Sequence, residues 1–146
     1  MLRWSILEKA TTDELAALSE GVTQFGRALA IGGNPQPIAC LVREGNAIVA
    51  GGSGRTEFSR LFVSYLWVAE HLRGKGLGTE VLARLESAAQ ERGCTDALVE
   101  TLNDRVAKLY ARVGYEPLET IPRYVGPFTR HILLKSLATG PAQGGV

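Results

Sequence analysis

The chain has 146 residues, 45% hydrophobic and 21% charged, with a formal net charge of +1, which describes one globular domain large enough to bury a core. That near-neutral balance excludes a broad electrostatic footprint on nucleic acid or anionic lipid. The N-terminal "MLRWSILEKATTDE" lacks the apolar core of a signal peptide and no apolar run approaches membrane-spanning length, so a soluble, cytoplasmic protein is the expectation.

In chain order, Leu2–Leu7 holds enough apolar side chains for a first strand. "TTDELAALSEG" carries a capping box, with Thr11 as N-cap and Glu14 at N3, ahead of Leu15 and Leu18 on one face. The glycines and prolines of 21–37 suggest a broken helix followed by a loop. Ile38–Arg43 and Ala47–Ala50 flank Gly45-Asn46 and read as a hairpin. "RLFVSYLWVAE" is β-branched and aromatic, predicting a long strand through about Val68. A helix over Thr79–Arg92 follows from Val81, Leu82, Leu85, Ala88 and Ala89, with Gly93 as its stop. "CTDALVET" reads as a buried strand. "NDRVAKLYARVG" is a second helix whose apolar face holds Val106, Leu109, Tyr110 and Val113. "YEPLET" and "TRHILLKSL" are two last strands joined by the loop "IPRYVGPF", and the tail 138–146 is expected to fray. No repeat or internal linker divides the chain, so 1–137 reads as one mixed α/β (α+β) domain.

Cys40 and Cys94 sit in apolar, strand-like settings without metal spacing, and read as buried reduced thiols. His71 and His131 are too few and too far apart to suggest a metal site.

The stretch that carries chemistry is "RGKGLG". Gly74, Gly76 and Gly78 can adopt backbone conformations closed to other residues and leave room for a ligand. Successive amides then face a concavity at a helix N-terminus, where the dipole favours an anion, and Arg73 and Lys75 add charge at the rim. A diphosphate fits this description; a tight turn that only packs helix on strand is the alternative. A P-loop is excluded because Lys75 lacks the second glycine and the following Ser or Thr. The dinucleotide fingerprint is excluded because its third glycine would fall on Thr79.

What remains, R-x-x-G-x-G after a strand ending in "LWV", resembles the acetyl-CoA-binding motif of the GNAT N-acetyltransferases. The resemblance runs from Arg60 to about Gly114, and "LYARVGYEPL" is similar to the ending of that family's fourth helix. It implies a mostly antiparallel central sheet of six to seven strands with about four helices and a V-shaped opening between the fourth and fifth strands. It further implies that the turn Arg73, Gly74, Lys75, Gly76, Leu77, Gly78 and Thr79 receives the coenzyme A diphosphate. Leu66, Trp67 and Val68 would pair with the pantetheine arm, with an amide near Val68 polarising the thioester carbonyl. Asn103 matches a pantetheine-contacting position, though a plain helix N-cap is an equal reading. Lys108 is a further candidate for a CoA phosphate, as is Arg105.

Tyr110 matches the tyrosine that protonates the leaving thiolate; a core aromatic is its other reading. An amine acceptor must be deprotonated before attack. Glu100, at a strand end, is the first candidate base and Glu70 the second, and a solvated strand-end carboxylate is the other reading of each. The resemblance therefore implies acetyl transfer from acetyl-CoA, with no metal, to a primary amine of a small molecule in a ternary complex. Protein lysine or N-terminal acetylation and a non-catalytic acyl-CoA-binding module stay open. No nucleic-acid or membrane partner is expected, and a homodimer is admissible.

Overall fold

The computed structural model describes residues 1–29 and 34–137, and the chain divides into two compact units, Met1–Gly33 and Asn34–Val146. The segment 30–33 and the tail 138–146, where a loop and fraying were anticipated, lie outside the described residues. In the first unit, helix α1 (Thr12–Leu29) opens with the predicted reciprocal cap. The Glu14 amide donates to Thr11 Oγ1 at 3.1 Å and the Thr11 amide to Glu14 Oε1 at 3.2 Å. The helix runs unbroken through Gly21 and Gly26, which corrects the expected break. A helix-interior glycine costs only about 1 kcal/mol, and the stripe Leu15, Leu18, Val22 and Phe25 keeps helical period across Gly21 and up to Gly26. Leu2–Leu7 forms no strand, and the apolar side chains within it are exposed. Apolar residues make a strand only where a second edge takes up its hydrogen bonds, and no described strand pairs with this segment.

The second unit is built from β1 (Gln36–Glu44), β2 (Ala47–Glu57), β3 (Arg60–Val68), a 3₁₀ turn (Glu70–Leu72), α2 (Leu77–Glu91), β4 (Asp96–Thr101), α3 (Asp104–Arg112), β5 (Glu116–Val125) and β6 (Phe128–Ser136). Its six-stranded sheet has the order β1-β2-β3-β4-β6-β5 and is antiparallel except at β3–β4. Three α-helices and the 3₁₀ turn stand among the described residues where the resemblance implies about four helices. Gly45-Asn46 makes the predicted two-residue hairpin, with Gly45 at φ 62°. The expected loop "IPRYVGPF" is instead mostly strand. β5 continues to Val125, and its register against β6 jumps between Ile121 and Val125. That bulge absorbs Pro122, which has no amide to donate, and Arg123, held at φ 51°.

Side-chain alternation along β4 decides what each face of the sheet does. Ala97 and Val99 are buried with Leu61, Val81, Leu85, Ala107 and Tyr110 under the two helices, so Leu98 and Glu100 point to the opposite face. A Cβ on Gly52 would approach Leu85 Cδ1 to 2.9 Å and Val81 Cγ1 to 3.1 Å, which shows how closely α2 lies on β2. Strands β3 and β4 pair in parallel only at Arg60–Asp96, Leu61–Ala97 and Phe62–Leu98, although β3 runs on to Val68 and β4 to Thr101. Beyond Phe62 the two strands diverge. This is the expected V-shaped opening; it falls between the third and fourth strands because Leu2–Leu7 supplies none.

One ionic cluster is built into the core. Glu86 on α2, only 8% exposed, accepts from Tyr115 Oη at 2.7 Å and from Lys135 Nζ at 2.8 Å. Burial first, and the Glu86 carboxylate second, push the Tyr115 phenol far above its ordinary pKa. Because a buried hydrogen bond to a charged group is worth about 1.5–3 kcal/mol, Tyr115→Phe should lower unfolding free energy by about 2 kcal/mol. Urea denaturation would show a lower midpoint at unchanged slope; an unmoved midpoint would make the contact neutral.

Candidate active site

The glycine turn follows β3 through the 3₁₀ turn. Gly74 and Gly76 take φ 78° and 81°, the left-handed region, and a Cβ on either would meet nothing within 4 Å. Their requirement is conformational rather than steric. Helix α2 begins at Leu77, two residues earlier than the periodicity predicts, so Gly78 and Thr79 lie within its first turn. The first intrahelical bond runs from the Glu80 amide to the Gly76 carbonyl at 3.0 Å, and Gly76 provides no side-chain cap. The amides of Leu77, Gly78 and Thr79 are thus left for a ligand at the positive end of the dipole. Arg73 does more than add charge: its Nε donates to the Val68 carbonyl at 3.0 Å and ties the turn to the end of β3.

These groups open onto a cleft of about 710 Å³. Of the residues named from the sequence, Leu66, Trp67, Val68, Arg73, Gly74, Gly76, Leu77, Gly78, Thr79 and Asn103 line it. Lys75 and Lys108 do not; both are exposed and outside the lining. On α3 the cleft is met by Arg105, Leu109 and Arg112, at i, i+4 and i+7, with Val106 beside them. Lys108 borders that row on the side away from Val106 and stays outside the lining, whereas Arg112, not singled out by the sequence reading, is part of it. Helical phase counted from Arg105, two turns earlier, identifies Arg112. Val106 and Leu109, assigned to the core face, are therefore shared with the cleft. Asn103 caps α3: its Oδ1 accepts from the amides of Arg105 at 2.9 Å and Val106 at 3.2 Å.

A second cleft, of about 560 Å³, lies where β3 and β4 begin to part. It includes Leu98 and Glu100, on the sheet face away from α2 and α3, together with Phe62, Ser64 and Arg55. Glu100 is ion-paired with Arg130 of β6. Arg130 also donates to Tyr124 Oη at 2.6 Å, and its guanidinium lies 4.8 Å from the Tyr124 ring centre. Along β3 the second cleft reaches Ser64 and the first begins at Leu66; between β4 and α3 they meet at Leu102 and Asn103. The opening thus has one cleft on each side.

The three proposed catalytic groups are not brought together. Tyr110 is 5% exposed and lines neither cleft; its ring packs on Tyr115 with centroids 5.6 Å apart. Burial raises its pKa. Its hydroxyl has no hydrogen-bond partner among the described residues, yet it is not counted among fully enclosed polar atoms, so the tip keeps accessible surface. Glu70 starts the 3₁₀ turn, is exposed, and lines neither cleft. His131, passed over as a strand histidine, contacts Asp104 Oδ1 through Nε2 at 2.7 Å. No described helix is long and apolar enough to cross a membrane.

Comparison with known proteins gives this geometry a context. The model of the acetyltransferase (GNAT) family matches residues 5–115. Blasticidin-S acetyltransferase of Streptomyces morookaense is 41% identical over 91 residues, 61% of this chain and 67% of that relative. The crystal structure of a candidate acetyltransferase from Agrobacterium tumefaciens matches at TM-score 0.86 and 23% identity, covering 92% of this chain and 99% of that one. An aminoglycoside 6′-N-acetyltransferase complexed with coenzyme A matches at TM-score 0.62 and 15% identity, covering 91% and 98%. At such identities the structural likeness speaks for the fold.

The cap can be tested apart from any ligand. Asn103→Ala should lower unfolding free energy by about 1 kcal/mol in urea, whereas Asn103→Asp, which keeps an acceptor at the N-cap, should not. Equal stability of all three proteins would remove the cap.

Proposed function

The chain belongs to the acetyltransferase (GNAT) family, and from that membership we propose that it transfers an acetyl group from acetyl-CoA to the primary amine of a small molecule, by direct attack in a ternary complex. The observation that carries the reading is the turn: three amides at the start of α2, two left-handed glycines and a cleft of about 710 Å³ that continues along β3. Coenzyme A fits these groups. Its diphosphate suits the amides of Leu77, Gly78 and Thr79, with Arg105 and Arg112 supplying further positive charge on the cleft wall. From Val63 onward, β3 has no pairing to β4, and that edge offers backbone groups to an extended arm. The bound donor supplies an activated acetyl thioester.

An alkyl ammonium with a pKa near 10 is about one part in a thousand neutral at pH 7, so the acceptor must lose a proton before it attacks. Glu100 is the carboxylate at the opening, and Arg130 holds it there through an ion pair. In this reading it holds the ammonium and receives the proton through water. Tyr110, kept protonated by burial, returns a proton to the departing thiolate through its accessible tip. Glu70, outside both clefts, has no part. A small acceptor is supported by the second cleft of about 560 Å³ and by the relative named for blasticidin-S. A non-catalytic acyl-CoA-binding module is the second reading, favoured by the placement of the Tyr110 ring in the core.

Acetyl-CoA should raise the melting temperature by mass action, and Gly76→Glu should abolish the shift by placing a carboxylate among the donor amides. A shift that survives would take the turn out of the site. Tyr110→Phe should keep the shift and lower kcat about 100-fold with little change in KM. Full turnover would end the acid assignment, and a wild-type protein that binds but releases no thiol with any amine would establish the second reading.

A further inference from the structure

The second cleft holds a guanidinium that a plain amine-binding site has no use for. Its walls carry Arg55 and Arg130, and one carboxylate, Glu100, which is already paired with Arg130. A plain amine or a polyamine would engage Glu100 and leave the outer nitrogens of Arg55 without an acceptor. We propose that the acceptor is an amino carboxylate, held by its ammonium at Glu100 and by its carboxylate at Arg55. This rests on the acetyl-transfer reading and adds to it the chemical class of the acceptor.

The two arginines are arranged differently. Arg130 is committed: Nη2 to Glu100 and Nη1 to Tyr124 Oη, so it serves chiefly to hold the Glu100 carboxylate in place. Arg55 spends only its Nε, on Glu57 Oε1 at 3.2 Å, and Glu57 lies outside the cleft wall. Its two Nη groups have no hydrogen-bond partner among the described residues. The guanidinium lies 4.0 Å from the Phe62 ring centre, which fixes its plane and presents a preformed fork to a planar carboxylate. Between Arg55 on β2 and Glu100 on β4, the wall is apolar, Phe62 and Leu98, and suits the carbon chain linking the two charged ends. The volume suits a small molecule rather than a folded protein surface.

The test compares acceptors matched in length, in the CoA thiol-release assay: ω-amino acids from glycine to 6-aminohexanoate, their carboxamides, plain alkylamines and diamines. The amino acids should exceed their carboxamides by about tenfold or more in kcat/KM. Arg55→Gln should erase that preference by raising KM for the amino acid, leave KM for acetyl-CoA unchanged, and keep the melting temperature. Arg55→Lys should restore part of it. Calorimetric titration of amino acids into the CoA-saturated protein reads the same contact without turnover, and binding there should be lost in Arg55→Gln. Equal or better use of carboxamides, alkylamines or diamines, or a preference that survives Arg55→Gln, would overturn the proposal while leaving acetyl transfer intact. Absence of both an acetyl-CoA thermal shift and thiol release would instead overturn the acetyl-transfer reading. If calorimetry nevertheless showed Arg55-dependent amino-acid binding, the carboxylate site would stand by itself.

Discussion

Everything functional in this structure follows from a parallel pairing that stops after three rungs. Arg60 and Asp96 form the first rung and bind each other at both ends, Nε to Oδ1 at 2.8 Å and Nη2 to Oδ2 at 2.9 Å. Such a two-bond contact fixes direction as well as distance, and it anchors the closed end of the V. Each strand is held along its far edge, β3 by β2 and β4 by β6, and just past the last shared rung β3 carries a bulge at Ser64 against Ser53 and Gly54 of β2, the kind of irregularity that bends a strand. Unpaired backbone is a liability in most sheets. Here part of it lies inside the sheet, in the gap between β3 and β4, with the cleft of the glycine turn on the helix side and a cleft with charges of both signs on the other.

The order of the elements from β1 onward and the glycine turn at the start of α2 were legible because they depend on neighbours in sequence. Thr11 and Glu14 are three residues apart, and their cap could be read from spacing. The glycines of the turn and the helix after them obey the same short-range logic, which also sets Arg112 beside Arg105 on the cleft wall, although that position was passed over. What failed needed long-range information. Leu2–Leu7 has the composition of a strand, and only a partner edge could have made it one. Pro122 reads as a loop because the bulge that accommodates it is defined against β6. The Glu100–Arg130 pair joins residues thirty apart across β4 and β6; charge patterning along the chain holds no trace of it. Tyr110 shows a subtler limit, since its helix position suits both a core and a cleft, and depth below the surface is not written in periodicity.

The cluster of Glu86, Tyr115 and Lys135 bears on the site without touching it. It joins α2, Tyr115 between α3 and β5, and β6 through one buried carboxylate. Both helices also wall the cleft at the glycine turn. Charge-assisted contacts are directional where hydrophobic packing is not, so the cluster fixes the orientation of α2 against β6.

The division of labour between the two sheet faces has an evolutionary consequence. Period-2 alternation means that a substitution at Arg55, Phe62 or Glu100 alters one face while leaving the packing beneath α2 and α3 nearly untouched. Contacts separated in this way have nearly additive effects, so a few changes on the face of Arg55, Phe62 and Glu100 can alter what that face binds and leave the cleft at the glycine turn as it is. A laboratory library restricted to that face would begin with the same freedom.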